Sequence, residues 1–108
     1  MTVTQFVITF GASAVQFTAP PSAGGAGVAK VHAEPLRSNT HASYVGLSNV
    51  TNDGSGTGVL KQLAVPQANV ALETFDIEHN ESKNVLEAVR YYAHGTSGEK
   101  LVVSYHQY

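Results

Sequence analysis

Three groups of residues in this chain have types and spacings that could do chemistry: a glycine-rich stretch, a set of histidines and acids, and the tyrosines. In "TNDGSGTGVLKQL" (51–63), glycines alternate at Gly54, Gly56 and Gly58, and a lysine follows at Lys61. A phosphate-binding P-loop needs its lysine directly after a glycine and a helix behind it. Lys61 stands apart from Gly58 and runs into "QLAV", a strand pattern, so a dinucleotide fingerprint lacks its helix as well. Asn52, Asp53, Ser55 and Thr57 offer oxygens to a cation, but the closing glutamate and flanking helices of an EF-hand are missing. The stretch reads as a surface link between two strands. It is expected to be dispensable for folding, because loop closure depends only slowly on length.

The histidines are His32, His41, His79, His94 and His106. A zinc site wants three or four converging ligands. His32 with Glu34, and His79 with Glu81, have the spacing to share one side of a strand, and no third partner is indicated. Hydrogen-bonded or surface histidines are expected, with no metal and no cofactor. Glu73, Asp76, Glu78 and Glu81 cluster in "ETFDIEHNE", where a glycosidase would need two carboxylates facing one cleft. A Ser-His-Asp triad assembles through space, so spacing does not exclude one. There is no G-x-S-x-G elbow, and the expectation is a chain that is not an enzyme. Tyr44, Tyr91, Tyr92, Tyr105 and Tyr108 could stack on sugar rings, sit at protein interfaces, or pack in the core with the hydroxyl at its edge.

The elements that must position these residues are short. The chain has 108 residues, enough for one domain spanning 1–108. Charged residues make up 13%, against the roughly 25% usual in globular domains. A surface so weakly charged suits coverage by neighbours. Six Lys and Arg residues form no run and the formal net charge is −2, so nucleic-acid binding is not expected. No apolar stretch is long enough for a membrane helix. "MTVTQFVITF" lacks the basic start and cleavage site of a signal peptide. Cysteine is absent, which removes disulfides, thiolate zinc sites and cysteine nucleophiles.

The dominant period is two. Phe6, Ile8 and Phe10 alternate with Gln5, Val7 and Thr9, and Val15 and Phe17 resume the pattern. "APPSAGGAG" (19–27) is loop. "VAKVHAEPL" (28–36) is a strand in which Pro35 marks an edge or an end. "SYVGLSNV" (43–50) and "VLKQLAV" (59–65) follow. In "NVALETFDI" (69–77) the apolar parity shifts, which implies a bulge or corner. "NVLEAVRYYAHG" (84–95) fits a helical stripe or a strand. A strand over 88–94 is expected, hairpin-paired with 101–106 through "GTSGE", leaving room for one helical turn near 81–86. The sum is an all-β domain, a small antiparallel β-sandwich, jelly-roll-like or barrel, of about 7–8 strands. Phe6, Ile8, Val15, Phe17, Val31, Val45, Leu63, Val89, Val103 and Tyr105 are expected to point inward.

The chain runs in order through "SAVQFTAP" (13–20), "AKVHAEPL" (29–36), "SNTHASYVGLSNVTNDGSGTGVLKQL" (38–63) and "RYYAHGTSGEKLVVSYHQY" (90–108). In that order of segments it resembles a class of small bacteriophage virion proteins of the head-decoration (capsid cement) type. It implies a β-sandwich or jelly-roll core, no catalytic residues, and a place on the capsid exterior after synthesis in the host bacterial cytoplasm. The implied partners are the major capsid protein and further copies of the chain itself, as homodimer or homotrimer. Physical reasoning adds candidate contact residues. Met1, Thr2, Val3, Thr4 and Gln5 form an uncharged N-terminal arm (1–5) able to add to a neighbour's sheet. Pro20 and Pro21 stiffen the 19–27 loop for docking, and Tyr44 and Tyr92 offer a sheet face. The alternative function is a glycan- or receptor-binding module of a head fibre or tail, using the tyrosines.

Overall fold

A computed structural model describes residues 2–18, 28–78 and 90–107. Met1, the 19–27 loop with Pro20 and Pro21, the His79 and Glu81 pair, the turn expected near 81–86, Val89 and Tyr108 lie outside the described residues. The described chain contains eight strands: β1 (Thr2–Thr9), β2 (Val15–Gln16), β3 (Val28–Pro35), β4 (Ser43–Gly46), β5 (Val59–Leu63), β6 (Phe75–Glu78), β7 (Tyr92–His94) and β8 (Lys100–Gln107). They form two antiparallel four-stranded sheets, in the orders β1-β8-β3-β6 and β2-β7-β4-β5.

The pairing is nested. β1 pairs with β8, β2 with β7, β3 with β6 and β4 with β5. The outgoing half of the chain thus runs beside the returning half, with β4–β5 as the tip. Additional ladders between β3 and β8, and between β4 and β7, close the roll. This is a jelly roll, two facing sheets made by winding a long double strand. The all-β sandwich expected from the period-two pattern is the fold observed.

One core lies between the sheets. Ile8, Val31, Ala33, Phe75, Leu101, Val103 and Tyr105 enter from the first sheet, and Val45, Leu63 and Ala93 from the second. Phe10, Phe17 and Tyr91 fill it from residues next to strands, and Phe6 and Val15 close its rim half-buried. The rings form a file of tilted and edge-on contacts, Tyr105–Phe6–Phe17–Tyr91–Phe75, at centroid separations of 5.1, 6.5, 6.1 and 5.6 Å. Pro35 ends β3, as its missing N–H requires. The parity shift in 69–77 marks a crossing between sheets. The chain leaves the second sheet at Leu63 and enters the first at Phe75.

Two expectations are corrected. The strand at Tyr92–His94 does not form a hairpin with 101–106. β7 lies between β2 and β4, whereas β8 lies between β1 and β3. "GTSGE" does turn, with Glu99 N–H donating to the Thr96 carbonyl at 2.9 Å and Gly98 at φ 90°. Its outer bonds go to Phe10, however. Phe10 N–H donates to the Glu99 carbonyl and Gly98 N–H to the Phe10 carbonyl, both at 2.9 Å. The turn is therefore anchored at the end of β1 and works as a corner between sheets. Nor do Thr2, Val3, Thr4 and Gln5 form a free arm. They pair with Gln107, His106, Tyr105 and Ser104 as the first half of β1.

Candidate functional site

The outer face of the first sheet is a grid set by strand register. Across β1, β8, β3 and β6 one row reads Val3, His106, Lys30, Glu78, and the next reads Gln5, Ser104, His32, Asp76. A third row reads Val7, Val102, Glu34. The face is divided: apolar and neutral side chains occupy β1, while charges gather on β3 and β6.

His32 is the hub of the charged half. Its Nδ1 meets Asp76 Oδ1 at 2.6 Å, and its Nε2 faces Glu34 Oε2 at 3.8 Å. Thr74 Oγ1 donates to Asp76 Oδ2 at 2.7 Å, and Lys30 Nζ lies 3.7 Å from Asp76 Oδ1. Partial burial works to raise the Asp76 pKa. The hydrogen bonds from His32 and Thr74 and the charges of His32 and Lys30 together outweigh it and hold the carboxyl below its ordinary value. Sequence spacing finds the His32–Glu34 half of this cluster. It cannot find Asp76, which is 44 residues away and reaches His32 through the β3–β6 ladder.

Ser104, His32 and Asp76 stand in one cross-strand row, the residue types of a hydrolytic triad. The geometry is a different one. Nε2 of His32, the nitrogen that would activate a serine, is turned to Glu34, and Ser104 Oγ accepts from Gln5 Nε2 at 3.1 Å. The two carboxylates engage different nitrogens of the ring, so they do not converge with it on one ion. Among the described residues no group of three or more His, Asp and Glu is arranged to hold a metal.

The second sheet's outer face carries the tyrosines. Ser43, Val45 and Ala93 are buried, so Tyr44, Tyr92 and His94 between them point out, half-buried. Tyr44 stands opposite His94 on one side and Gln62 on the other, and Tyr92 lies diagonal to Tyr44. The 47–58 loop folds over one end of this face. His94 Nδ1 contacts the Val50 carbonyl at 3.3 Å, and Asn52 Nδ2 donates to the Gly95 carbonyl at 2.9 Å.

The glycine stretch belongs to that cover. Asp53 Oδ1 accepts from Ser55 N–H at 2.9 Å, and the hydroxyls of Thr51, Ser55 and Thr57 bond one another. Asp53 Oδ1 and the hydroxyls of Ser55 and Thr57 are thus engaged within the loop. Hydrogen bonds from the Ser55 backbone and hydroxyl lower the Asp53 pKa. The loop's end is structural, which corrects the expectation that the whole stretch is dispensable. The Gly58 carbonyl accepts from Leu47 N–H at 2.9 Å, and a side chain at Gly58 (φ 69°) would strike Asn49 and Val50.

At one rim of the sandwich, buried Asn39 mimics a strand residue. Its Nδ2 donates to the Lys100 carbonyl at 2.7 Å and its Oδ1 accepts from Lys100 N–H at 3.2 Å. Glu99 caps the same turn, accepting from Thr40 N–H at 2.7 Å, Thr40 Oγ1 at 2.8 Å and His41 N–H at 3.1 Å. The 64–73 segment makes a shallow cleft of about 180 Å³ lined by Val65, Pro66, Val70, Leu72 and Glu73. That is small beside the several hundred Å³ of ordinary ligand sites. Arg37 Nη1 holds the segment by donating to the Gln67 and Val70 carbonyls at 3.3 and 3.2 Å.

The candidate contact residues do not form one patch. Val3, Thr4 and Gln5 lie on an edge of the first sheet, and Tyr44 and Tyr92 lie on the outer face of the second. No protein family, no curated protein and no solved structure matches this chain.

Proposed function

We propose that the chain is a non-enzymatic structural protein of a bacteriophage virion, a decoration (cement) protein that binds the major capsid protein across capsomer junctions on the capsid exterior. The observation that carries this reading is the exposure of large apolar side chains on a domain with few charges. Val3, Val7, Leu47, Leu60, Val65 and Val70 are each 39–55% exposed. They occur in separate places: one sheet edge, the hairpin tip and the 64–73 segment. Singly exposed apolar residues are ordinary. Several apolar places on a lightly charged surface suit a small protein touched by several neighbours, and symmetry then multiplies each contact. The segment order supports the virion assignment. A jelly roll serves capsid and lectin domains alike, so the fold favours neither.

A second reading is favoured by Tyr44 and Tyr92 facing outward together on one sheet. It makes the chain a glycan- or receptor-binding module of a head fibre or tail. Purified virions separate the two. Decoration predicts the chain on the capsid exterior at a copy number fixed by capsid symmetry, saturable binding to naked capsids, and no glycan binding. Absence from purified heads, or glycan binding lost on Tyr44→Ala or Tyr92→Ala, would replace the decoration reading.

A further inference from the structure

We infer that β1 is a self-pairing edge, through which two copies of this chain join about a two-fold axis at Gln5 into one continuous sheet. The four outer strands of the two sheets differ in how well they are protected. β2 has two residues; β6 has four and carries Asp76 and Glu78; β5 has five and carries exposed Lys61. Short length and charge are the usual devices against edge-to-edge pairing. β1 has neither. Its sequence, TVTQFVIT, runs eight residues with no charge, proline or glycine, and it pairs with β8 without a register shift.

Main-chain geometry fixes which groups β8 does not take. Phe10 N–H points to β8, bonding the Glu99 carbonyl, so alternation turns the N–H and C=O of Ile8, Phe6 and Thr4 to β8 as well. Those of Val3, Gln5, Val7 and Thr9 face away from β8, along an edge that no described strand covers. The Lys100 carbonyl, which accepts from Leu36 N–H on the β3 side, gives the same phase from the other strand. An antiparallel second copy must therefore set odd residues against odd residues.

Centring the axis on Gln5 places Gln5 opposite its own copy and Val3 opposite Val7 twice, each matched pair exchanging two main-chain hydrogen bonds. Val3 and Val7, exposed by 53% and 55%, would then cover each other on the outer face. On the inner side the half-buried Phe6 faces Thr4 of the second copy. A register centred on Phe6 would instead oppose Val7 to Gln5 and Val3 to Thr9, leaving the valines unmatched. The interface is isologous and closes at two copies. The occupant is a second copy because the edge is complementary to itself in both hydrogen-bond phase and side-chain pattern.

The test uses the full chain alone, apart from any capsid, so its outcome is independent of the virion reading. Sedimentation equilibrium should find a dimer for the parent. Gln5→Lys and Gln5→Glu each put like charges face to face on the axis, and each alone should run as a monomer. An equimolar mixture of the two should return to a dimer. Gln5 is exposed, so circular dichroism should stay parental in both variants, while the thermal midpoint falls with the lost dimer and the lost Gln5–Ser104 bond. A monomeric parent at high micromolar concentration, a dimer indifferent to both substitutions, or a mixture that stays monomeric would each overturn the proposal.

Discussion

Two hydroxyls in the core make opposite predictions. Ser43 Oγ, opposite Leu63, is buried without a hydrogen-bond partner among the described residues. An unmet buried hydroxyl costs about 1–3 kcal/mol. Ser43→Ala is therefore expected to leave stability unchanged or raise it by about 1 kcal/mol in urea melts; a clear loss would mean the hydroxyl has a partner. Tyr105 is the satisfied case, its hydroxyl donating to the Thr18 carbonyl at 2.6 Å. Tyr105→Phe should lose about 1 kcal/mol. Burial pushes the Tyr105 phenol above its ordinary value. The folded state thus keeps a proton that the unfolded chain releases. That stability is whole below about pH 10, the usual tyrosine value, and declines above it. Denaturation midpoints from pH 8 to 11 should fall in the parent and fall less in Tyr105→Phe. Glycines divide likewise. Gly54 and Gly58 both have positive φ, but a Cβ on Gly54 meets open space while one on Gly58 strikes Asn49 and Val50. Gly54→Ala should cost about 1–2 kcal/mol from backbone conformation alone. Gly58→Ala should cost clearly more, and equal costs would contradict the packed loop base.

At the scale of elements, the β3–β6 ladder is tied by the His32–Asp76 contact and should loosen with acid. The Asp76 pKa is held down in the fold, so its contribution is present above the ordinary aspartate range near 3.9 and disappears as pH falls through the lowered value. Asp76→Asn should melt below the parent at pH 7 and match it near pH 2. Asp76 is well exposed, so the gap should be small. The strands themselves were readable, because Val31 and Ala33 alternate with Lys30, His32 and Glu34 as a half-buried strand must, and Phe6, Ile8 and Phe10 keep the same period of two. Their partners were not. Nothing in "YYAHGTSGEKLVV" reveals that the turn hands its hydrogen bonds to Phe10, so a local hairpin was the natural inference and a sheet crossing is the fact. The same limit hid Asp76 from His32. Tyr44 and Tyr92 were legible as outward residues, since buried Val45 and Ala93 set the phase. The β1 edge read as an arm because its pairing strand lies at the other end of the sequence.

For the whole molecule, nested pairing means that β4–β5 is the local contact and each further pair joins more distant segments, ending with β1 and β8. Folding dominated by such pairings runs in milliseconds to seconds. Stopped-flow refolding should fall in that range, and a microsecond phase carrying the full amplitude would refute the nested order. The termini of this roll also decide how it bears load. Thr2 and Gln107 are opposite partners in an antiparallel ladder. Tension applied between them pulls across the strands and opens the ladder like a zipper, one hydrogen bond at a time. As a mechanical part, the domain is weak when Thr2 and Gln107 are drawn apart.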